Sequence, residues 1–217
     1  MSTLELNRRG LLCVVSGPSG SGKTTLCRRF SEADSDAVYA TSATTRAPRD
    51  GEADGVDYFF LERDDFESRA TRGEFLEFAE VHGNLYGTLK SEVISHIEAG
   101  RDVLMDLDVQ GAENIRNRND RQIEEALVDI FIHLPSDEEL LRRLGGRGTE
   151  TEEQTRLRLA NAHEEIRHWP KYQYAVVSRD KESDFETFSS IIAGERCRSS
   201  RLTPCDEIVA EHPELGL

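Results

Sequence analysis

Positive charge is in deficit in this 217-residue chain. It carries 27 Lys+Arg against 42 Asp+Glu, and 27 minus 42 leaves a formal net charge of −15. A sequence-independent nucleic-acid binder needs clustered cations facing the phosphates, so the balance excludes that class. Any anionic ligand must be held by a local group of cations against an acidic background. Cysteine is also sparse: Cys13, Cys27, Cys197 and Cys205 form no C-x-x-C pair and no metal-ligand spacing. Cys13 lies in an apolar run and reads as a buried, inert thiol. His163 and His168 are five apart, off the spacing that puts two ligands on one helix face. After Arg8 and Arg9 only residues 11–15 form an unbroken apolar run, shorter than a signal-peptide core or a membrane span. A cytoplasmic protein with no membrane or nucleic-acid partner is expected. Internal repeats, low-complexity tracts and Pro/Gly/Ser linkers are missing as well. The chain therefore reads as one domain with one sizeable insertion, long enough to bury about 70% of its unfolded surface without disulfides.

What is present alternates. Near-continuous apolar runs at 11–16, 103–107, 128–134 and 174–178 suit parallel strands covered on both faces. Helical patterns follow at 24–30, 110–118, 137–144 and 185–192. Strand followed by helix, four times over, predicts an α/β fold with a doubly wound parallel sheet. Residues 39–88 break the alternation with aromatic-rich runs at 58–61, 74–81 and 84–89. They predict a small, mostly antiparallel inserted sheet with one helix at 64–72. Gly145-Gly146-Arg147-Gly148 forms a hinge-like segment, after which Thr151 and Gln154 make a capping box for the next helix. From Arg196 the chain turns polar, with Pro204 and Pro213, and is left unassigned. The resulting division is a unit over 10–195 (core 10–37 and 90–195, insertion 38–89, lid 145–158) and a polar tail over 196–217.

The sharpest local signal is Gly17-Pro18-Ser19-Gly20-Ser21-Gly22-Lys23-Thr24, the G-x-x-x-x-G-K-[ST] pattern between a strand and a helix. The glycines let successive N–H groups turn inward onto phosphate oxygens, and the helix adds its positive end. Lys23 would reach the β- and γ-phosphates and the Thr24 hydroxyl could coordinate Mg²⁺. A GTPase would need an N-K-x-D element, which does not occur. A small kinase with its second substrate on the insertion remains.

Other residues carry partial signals. Arg46 and Arg49, three apart beside Pro48, could clamp one phosphate in a multidentate way that lysine could not. Asp106 and Asp108, two apart at the carboxyl end of a strand, are expected to share a face at the edge where α/β sheets bind ligands. Glu77 alone reads as one more surface glutamate, and Tyr58 and Tyr86 read equally as packing.

Several blocks together resemble the guanylate kinase family. They are 42–49 (Ser42-Ala43-Thr44-Thr45-Arg46-Ala47-Pro48-Arg49), Gly51-Glu52, 55–60, 74–77, 83–88, 106–111 and 147–153, in the family's order over nearly the whole chain. The resemblance implies ATP and GMP as substrates, with Mg²⁺ as cofactor on Thr24 and, through water, Asp106. It implies a guanine reader of Ser42, Glu77 and Thr88, and a GMP-phosphate site of Arg46, Arg49, Tyr58 and Tyr86, with Asp108 facing the acceptor. Arg143, Arg147 and Arg158 are implied as lid cations on the transferring phosphoryl, whereas Arg142 and Arg156 read as solvated charges. The chain departs from the family at Val177-Ser178-Arg179-Asp180, where V-N-D-D is usual, which puts the adenine contact at Ser178 in question. Thr88 and Leu85 replace the usual Ser and Tyr, and 117–126 is longer than the usual connection. Two other readings are a same-fold phosphokinase with another acceptor, and a non-catalytic binding module. The first should lack the Ser42/Glu77/Thr88 set, and the second should have lost the loop lysine and glycines. Oligomeric state, monomer or homodimer, is left open.

Overall fold

A computed structural model describes residues 6–81, 83–144 and 152–204. The central strand β2 (Leu12–Ser16) is buried along its whole length, because it lies inside a sheet covered on both faces. Leu11, Cys13 and Val15 point to one side and pack on Leu26, Cys27 and Phe30 of α1 (Lys23–Ala33). On the same side lie Phe188 and Ile192 of α8 (Lys181–Arg196). Leu12 and Val14 point the other way, onto Val93 and Ile97 of α3 (Lys90–Glu98), Ala112 and Ile115 of α4 (Val109–Arg116), and Ile123 of α5 (Arg121–Ala126). A period-2 strand with two apolar faces is what a continuous hydrophobic run encodes.

The flanking strands are β8 (Asp102–Asp106) and β9 (Leu127–His133), both parallel to β2. Outside them lie β3 (Ala37–Tyr39) and β10 (Tyr174–Val177), giving the all-parallel order β10-β9-β2-β8-β3. This is the expected doubly wound sheet. Strand β3 and helices α3 and α5 were not expected, being short and without a clear period. Helix α5 fills the long 117–126 connection and is capped by Asp120, whose carboxylate accepts from the Gln122 N–H at 3.2 Å.

The insertion forms a second sheet of β4 (Ala43–Thr44), β5 (Phe59–Phe60), β6 (Phe75–Val81) and β7 (Asn84–Leu89), ordered β5-β4-β7-β6. Only the β4–β5 pair is parallel. Helix α2 (Arg63–Thr71) covers it, with Asp64 and Asp65 in its first turn and Arg69 in its last, matching the helix dipole. Phe66 of α2 is fully buried and stacks on Phe75 with ring centroids 4.2 Å apart. Truncating it to Ala would cost about 3–5 kcal/mol.

One expectation is corrected. Strand β8 ends at Asp106, and Asp108 is the N-cap of α4 and not a strand residue. Residues 196–204, left unassigned from the sequence, continue the fold. Arg196 completes α8, and β11 (Leu202–Pro204) pairs antiparallel with β1 (Leu6–Arg8). Arg201, 6% exposed, bonds Glu195 at 2.9 Å, and Arg196 bonds the fully buried Asp102 at 2.7 Å. Asp102 also accepts from Arg8 and from the Leu11 N–H, so both chain segments are tied to the core sheet. The two remaining helices, α6 (Asp137–Leu144) and α7 (Glu152–Ile166), flank residues 145–151. The glycine hinge, Arg147 and the Thr151 cap thus lie outside the described residues, as does Cys205.

Candidate active site

The loop from Gly17 to Gly22 joins the carboxyl end of β2 to the first turn of α1. Gly17, Gly20 and Gly22 take φ values of 148°, 80° and 95°, which other residues rarely adopt. A Cβ on Gly17 would stand 2.4 Å from the Ile132 carbonyl oxygen of β9. Lys23 folds back over this loop, donating from Nζ to the carbonyls of Gly17 at 2.6 Å and Pro18 at 3.2 Å. Burial holds its ammonium below the usual range, while the Glu165 and Asp106 carboxylates pull the other way. Ser19 and Gly20 are exposed at the loop crest and Ser21 is buried beneath it.

Asp106 sits at the junction of two sites. One of its oxygens accepts from the Thr24 hydroxyl at 2.5 Å and the other from the Tyr39 hydroxyl. It also lines a cleft of about 250 Å³ with Glu77, Asp108, Gln110 and Asn114. Asp108 is held as a helix cap, its Oδ1 accepting from the Gly111 N–H at 2.7 Å.

On the insertion side, β6 and β7 pair so that Glu77 lies opposite Thr88, after a bulge between Phe75 and Glu77. The Thr88 hydroxyl, 2% exposed, donates to Glu77 Oε1 at 2.9 Å. Burial, together with the nearby Asp108 charge, pushes the Glu77 carboxyl above its ordinary value. Glu77 is therefore not the surface glutamate that its residue type alone suggested. Ser42 is half-buried on the neighbouring strand entry, its carbonyl accepting from the Phe59 N–H.

Arg46 is fixed by Glu52, with Nη2 at 2.9 and 3.0 Å from its two oxygens. It lies 5.4 Å from the Tyr58 ring centroid and beside the Tyr86 hydroxyl. The Tyr58 and Tyr86 rings meet edge to face at 6.1 Å. Arg49 is exposed, and its backbone N–H donates to Glu52 at 2.7 Å. One carboxylate thus organises the whole arginine loop. The pairing is charge-assisted, with the single Nη2 shared between both carboxylate oxygens while Nη1 donates to the Ala47 carbonyl at 2.7 Å.

The third group of cations approaches the loop from α6 and α7. Arg143 donates from Nη1 to the Ser21 carbonyl at 3.3 Å and from Nε to Glu139 at 2.6 Å. Arg158 reaches Ser19 Oγ at 3.5 Å. Arg142, by contrast, is exposed and bonds Glu139. A second cavity of about 490 Å³ opens beside the loop, lined among others by Thr25, Arg29, Arg143, Arg179 and Asp184.

Four residues near these groups went unnoticed in the sequence as site residues: Tyr39, Glu52, Glu165 and Asp184. Glu165 of α7 lies near Ser19 and Lys23, and burial raises its carboxyl while the Lys23 charge opposes the rise. No motif marks any of the four except Glu52, which follows Gly51 in the arginine block. Tyr39 sits on a three-residue strand with no pattern to announce it.

A phosphate-binding loop at the sheet's carboxyl edge, joined through one aspartate to a carboxylate-lined cleft on an inserted sheet, defines a P-loop nucleoside monophosphate kinase. Comparison with known proteins narrows this. The guanylate kinase family model matches residues 9–195. The chain is 43% identical over 202 residues to a guanylate kinase of Clostridium perfringens, covering 93% of this chain and 91% of that one. It is 45% identical over 194 residues to one of Cereibacter sphaeroides, covering 89% and 90%. A guanylate kinase structure from Anaplasma phagocytophilum superposes with a TM-score of 0.70 at 32% identity, covering 96% of this chain and 97% of that one. The chain belongs to the guanylate kinase family.

Proposed function

We propose that the chain transfers the γ-phosphoryl of ATP to GMP, giving ADP and GDP. The observation that carries this reading is Asp106, which bonds Thr24 of the phosphate loop and lines the cleft that holds Glu77. Donor phosphates on 17–24 and an acceptor in the cleft would then meet over one carboxylate.

The acceptor phosphate falls to Arg46, Arg49, Tyr58 and Tyr86, and the guanine to Ser42, Glu77 and Thr88. Guanine presents N1–H and a 2-amino group side by side, and one carboxylate accepts from both. Glu77 already holds its Thr88 bond and carries a spare oxygen for this. Lys23, Arg143 and Arg158 place positive charge along the transferring phosphoryl. Arg147, outside the described residues, joins them by motif alone. Phosphoryl transfer asks for positioning and charge neutralisation more than covalent help. The acceptor is an oxygen of a phosphate that is already anionic, so no side chain need remove a proton.

Thr24 and Asp106, a hydroxyl and a carboxylate side by side, suit Mg²⁺, which takes few protein oxygens and completes its shell with water and substrate phosphates. Among the described residues no group of three or more His, Cys, Asp or Glu could hold a metal by itself. When bound, Mg²⁺ supplies charge neutralisation on the β- and γ-oxygens. The insertion 38–89 and the lid 145–158 are read as the parts that close on substrate and exclude water. A cytoplasmic setting belongs to the same reading.

A coupled assay offering ATP with GMP, AMP, UMP or dTMP tests it. GMP should be turned over with a kcat/KM at least ~10³-fold above the others. Equal use of AMP would overturn the guanine assignment.

A further inference from the structure

Ser178 follows the last residue of β10 and is fully buried, yet its hydroxyl stands in the middle of a polar chain. It accepts from Arg143 Nη2 at 3.0 Å and donates to Asp184 Oδ2 at 2.5 Å. The other Asp184 oxygen accepts from the Arg179 N–H at 2.8 Å, which fixes the carboxylate at the start of α8. A hydroxyl has one hydrogen and two lone pairs, and a carboxylate can only accept. Asp184 therefore claims the Ser178 hydrogen and turns the lone pairs toward Arg143.

This matters because of where Arg143 is anchored otherwise. Glu139 lies on the arginine's own helix and would travel with it. Ser21 contributes a single long bond at 3.3 Å. Ser178, by contrast, extends from a strand of the rigid parallel sheet. Its bond ties the guanidinium to the same frame that carries the phosphate loop.

We propose that Ser178, oriented by Asp184, is a positioning residue that fixes the Arg143 guanidinium over the phosphate loop. The proposal rests on the reading of Arg143 as a cation for the transferring phosphoryl. Its consequence is separable: loss of the hydroxyl should slow transfer through Arg143 alone and leave the acceptor site untouched.

The test is a kinetic cycle on the full chain with ATP, Mg²⁺ and GMP, comparing Ser178→Ala, Arg143→Ala and the double variant. Arg143→Ala should lower kcat by ~10²-fold or more, as loss of one charge-stabilising donor does. Ser178→Ala should lower kcat by roughly 10- to 100-fold, the scale of a small misplacement, with KM for GMP unchanged. In the Arg143→Ala background the serine change should cost nothing further, and Ser178→Thr should recover most of the loss. An equal loss in both backgrounds would mark Ser178 as merely structural and overturn the proposal, as would a Ser178→Ala enzyme with wild-type kcat. If Arg143→Ala itself kept wild-type kcat, the reading of Arg143 would fall and the proposal with it. Asp184→Ala, on the half-buried side of the chain, repeats the cycle should the serine variant not fold; wild-type kcat there overturns the proposal equally.

Discussion

Tyr39 donates its hydroxyl hydrogen to Asp106, on the oxygen opposite the one that takes the Thr24 hydroxyl. The edge strand β3 thus orients the carboxylate on its neighbour β8 that is assigned to the metal. Partners of this kind typically govern 10–100-fold in metal affinity or activity. Tyr39→Phe should raise the Mg²⁺ concentration for half-maximal rate by about that factor, with KM for GMP unchanged. A magnesium titration identical to wild type would remove Tyr39 from the site.

Lys23 bonds two carbonyls of the phosphate loop, those of Gly17 and Pro18. Lys23→Ala should keep the fold, since no core side chain is touched, and should lose ~10²-fold or more in kcat. Circular dichroism with a coupled assay checks both halves. A folded variant with near-normal kcat would contradict the loop assignment.

Glu77→Gln joins a loss of function to a gain of stability. Gln keeps one acceptor but turns an amide toward guanine's second donor, so kcat/KM for GMP should fall by ~10²-fold or more while ATP affinity holds. Burial raises the Glu77 carboxyl, so the native state holds its proton more tightly than the unfolded chain does. Its contribution to stability is then fully present below the unfolded value near 4.5 and is lost as pH rises through the raised native value. The Tm difference between Glu77→Gln and wild type should therefore grow in the variant's favour from pH 4 to pH 7. A difference that shrinks over that range would mean the carboxyl is not desolvated.

Gly17 and Gly22 should respond unequally to alanine. Both have left-handed φ, but a Cβ at Gly17 meets the Ile132 carbonyl at 2.4 Å, whereas one at Gly22 meets nothing within 4 Å. Gly22→Ala should cost about 1–2 kcal/mol from backbone conformation alone. Gly17→Ala should cost more, about 3 kcal/mol or above, because β9 must shift. Urea midpoints of the two variants settle the order.

Cys13 and Cys27 are buried on the α1 side of the sheet, and burial raises both thiols well above their ordinary range. Thiolate is the reactive form, so neither should react with a maleimide in the native protein. Cys197 is exposed and should label at once. Peptide mapping after a short pulse distinguishes them; early labelling at Cys27 would contradict the packing.

Strands β2, β8 and β9 were legible because each is a run of apolar residues buried along nearly its whole length. The edge strand β10 was legible because its four residues are apolar or aromatic, even though Ala175 and Val177 face out. Strands β3 and β4 hold three and two residues, too few for a period to show, and only neighbouring backbone defines them, whereas β5 lies in the aromatic run at 58–61 that marked the insertion. The phosphate loop was legible because its pattern is its mechanism. Glu77 was not legible from residue type, since its burial comes from pairing across a bulge with Thr88, which no local pattern records. Ser178 carried only the mark of a departure from its relatives; its bond to Arg143 spans 35 positions and exists only in three dimensions. Asp106 and Asp108 illustrate the opposite error. Alternation placed them on one strand, but the chain had already begun capping α4, and they reach the same cleft by different routes.

The position of β2 at the centre of the sheet sets an order of events during synthesis. It emerges well before both of its neighbours, residues 102–106 and 127–133. Until the second of these has left the ribosome, an apolar strand with two faces has no complete place to go. The inserted sheet, confined to residues 43–89, closes much shorter loops and can form while the core strand still waits. The nascent chain thus completes the strand partners of the insertion before those of the catalytic sheet, and β2 waits longest for its cover.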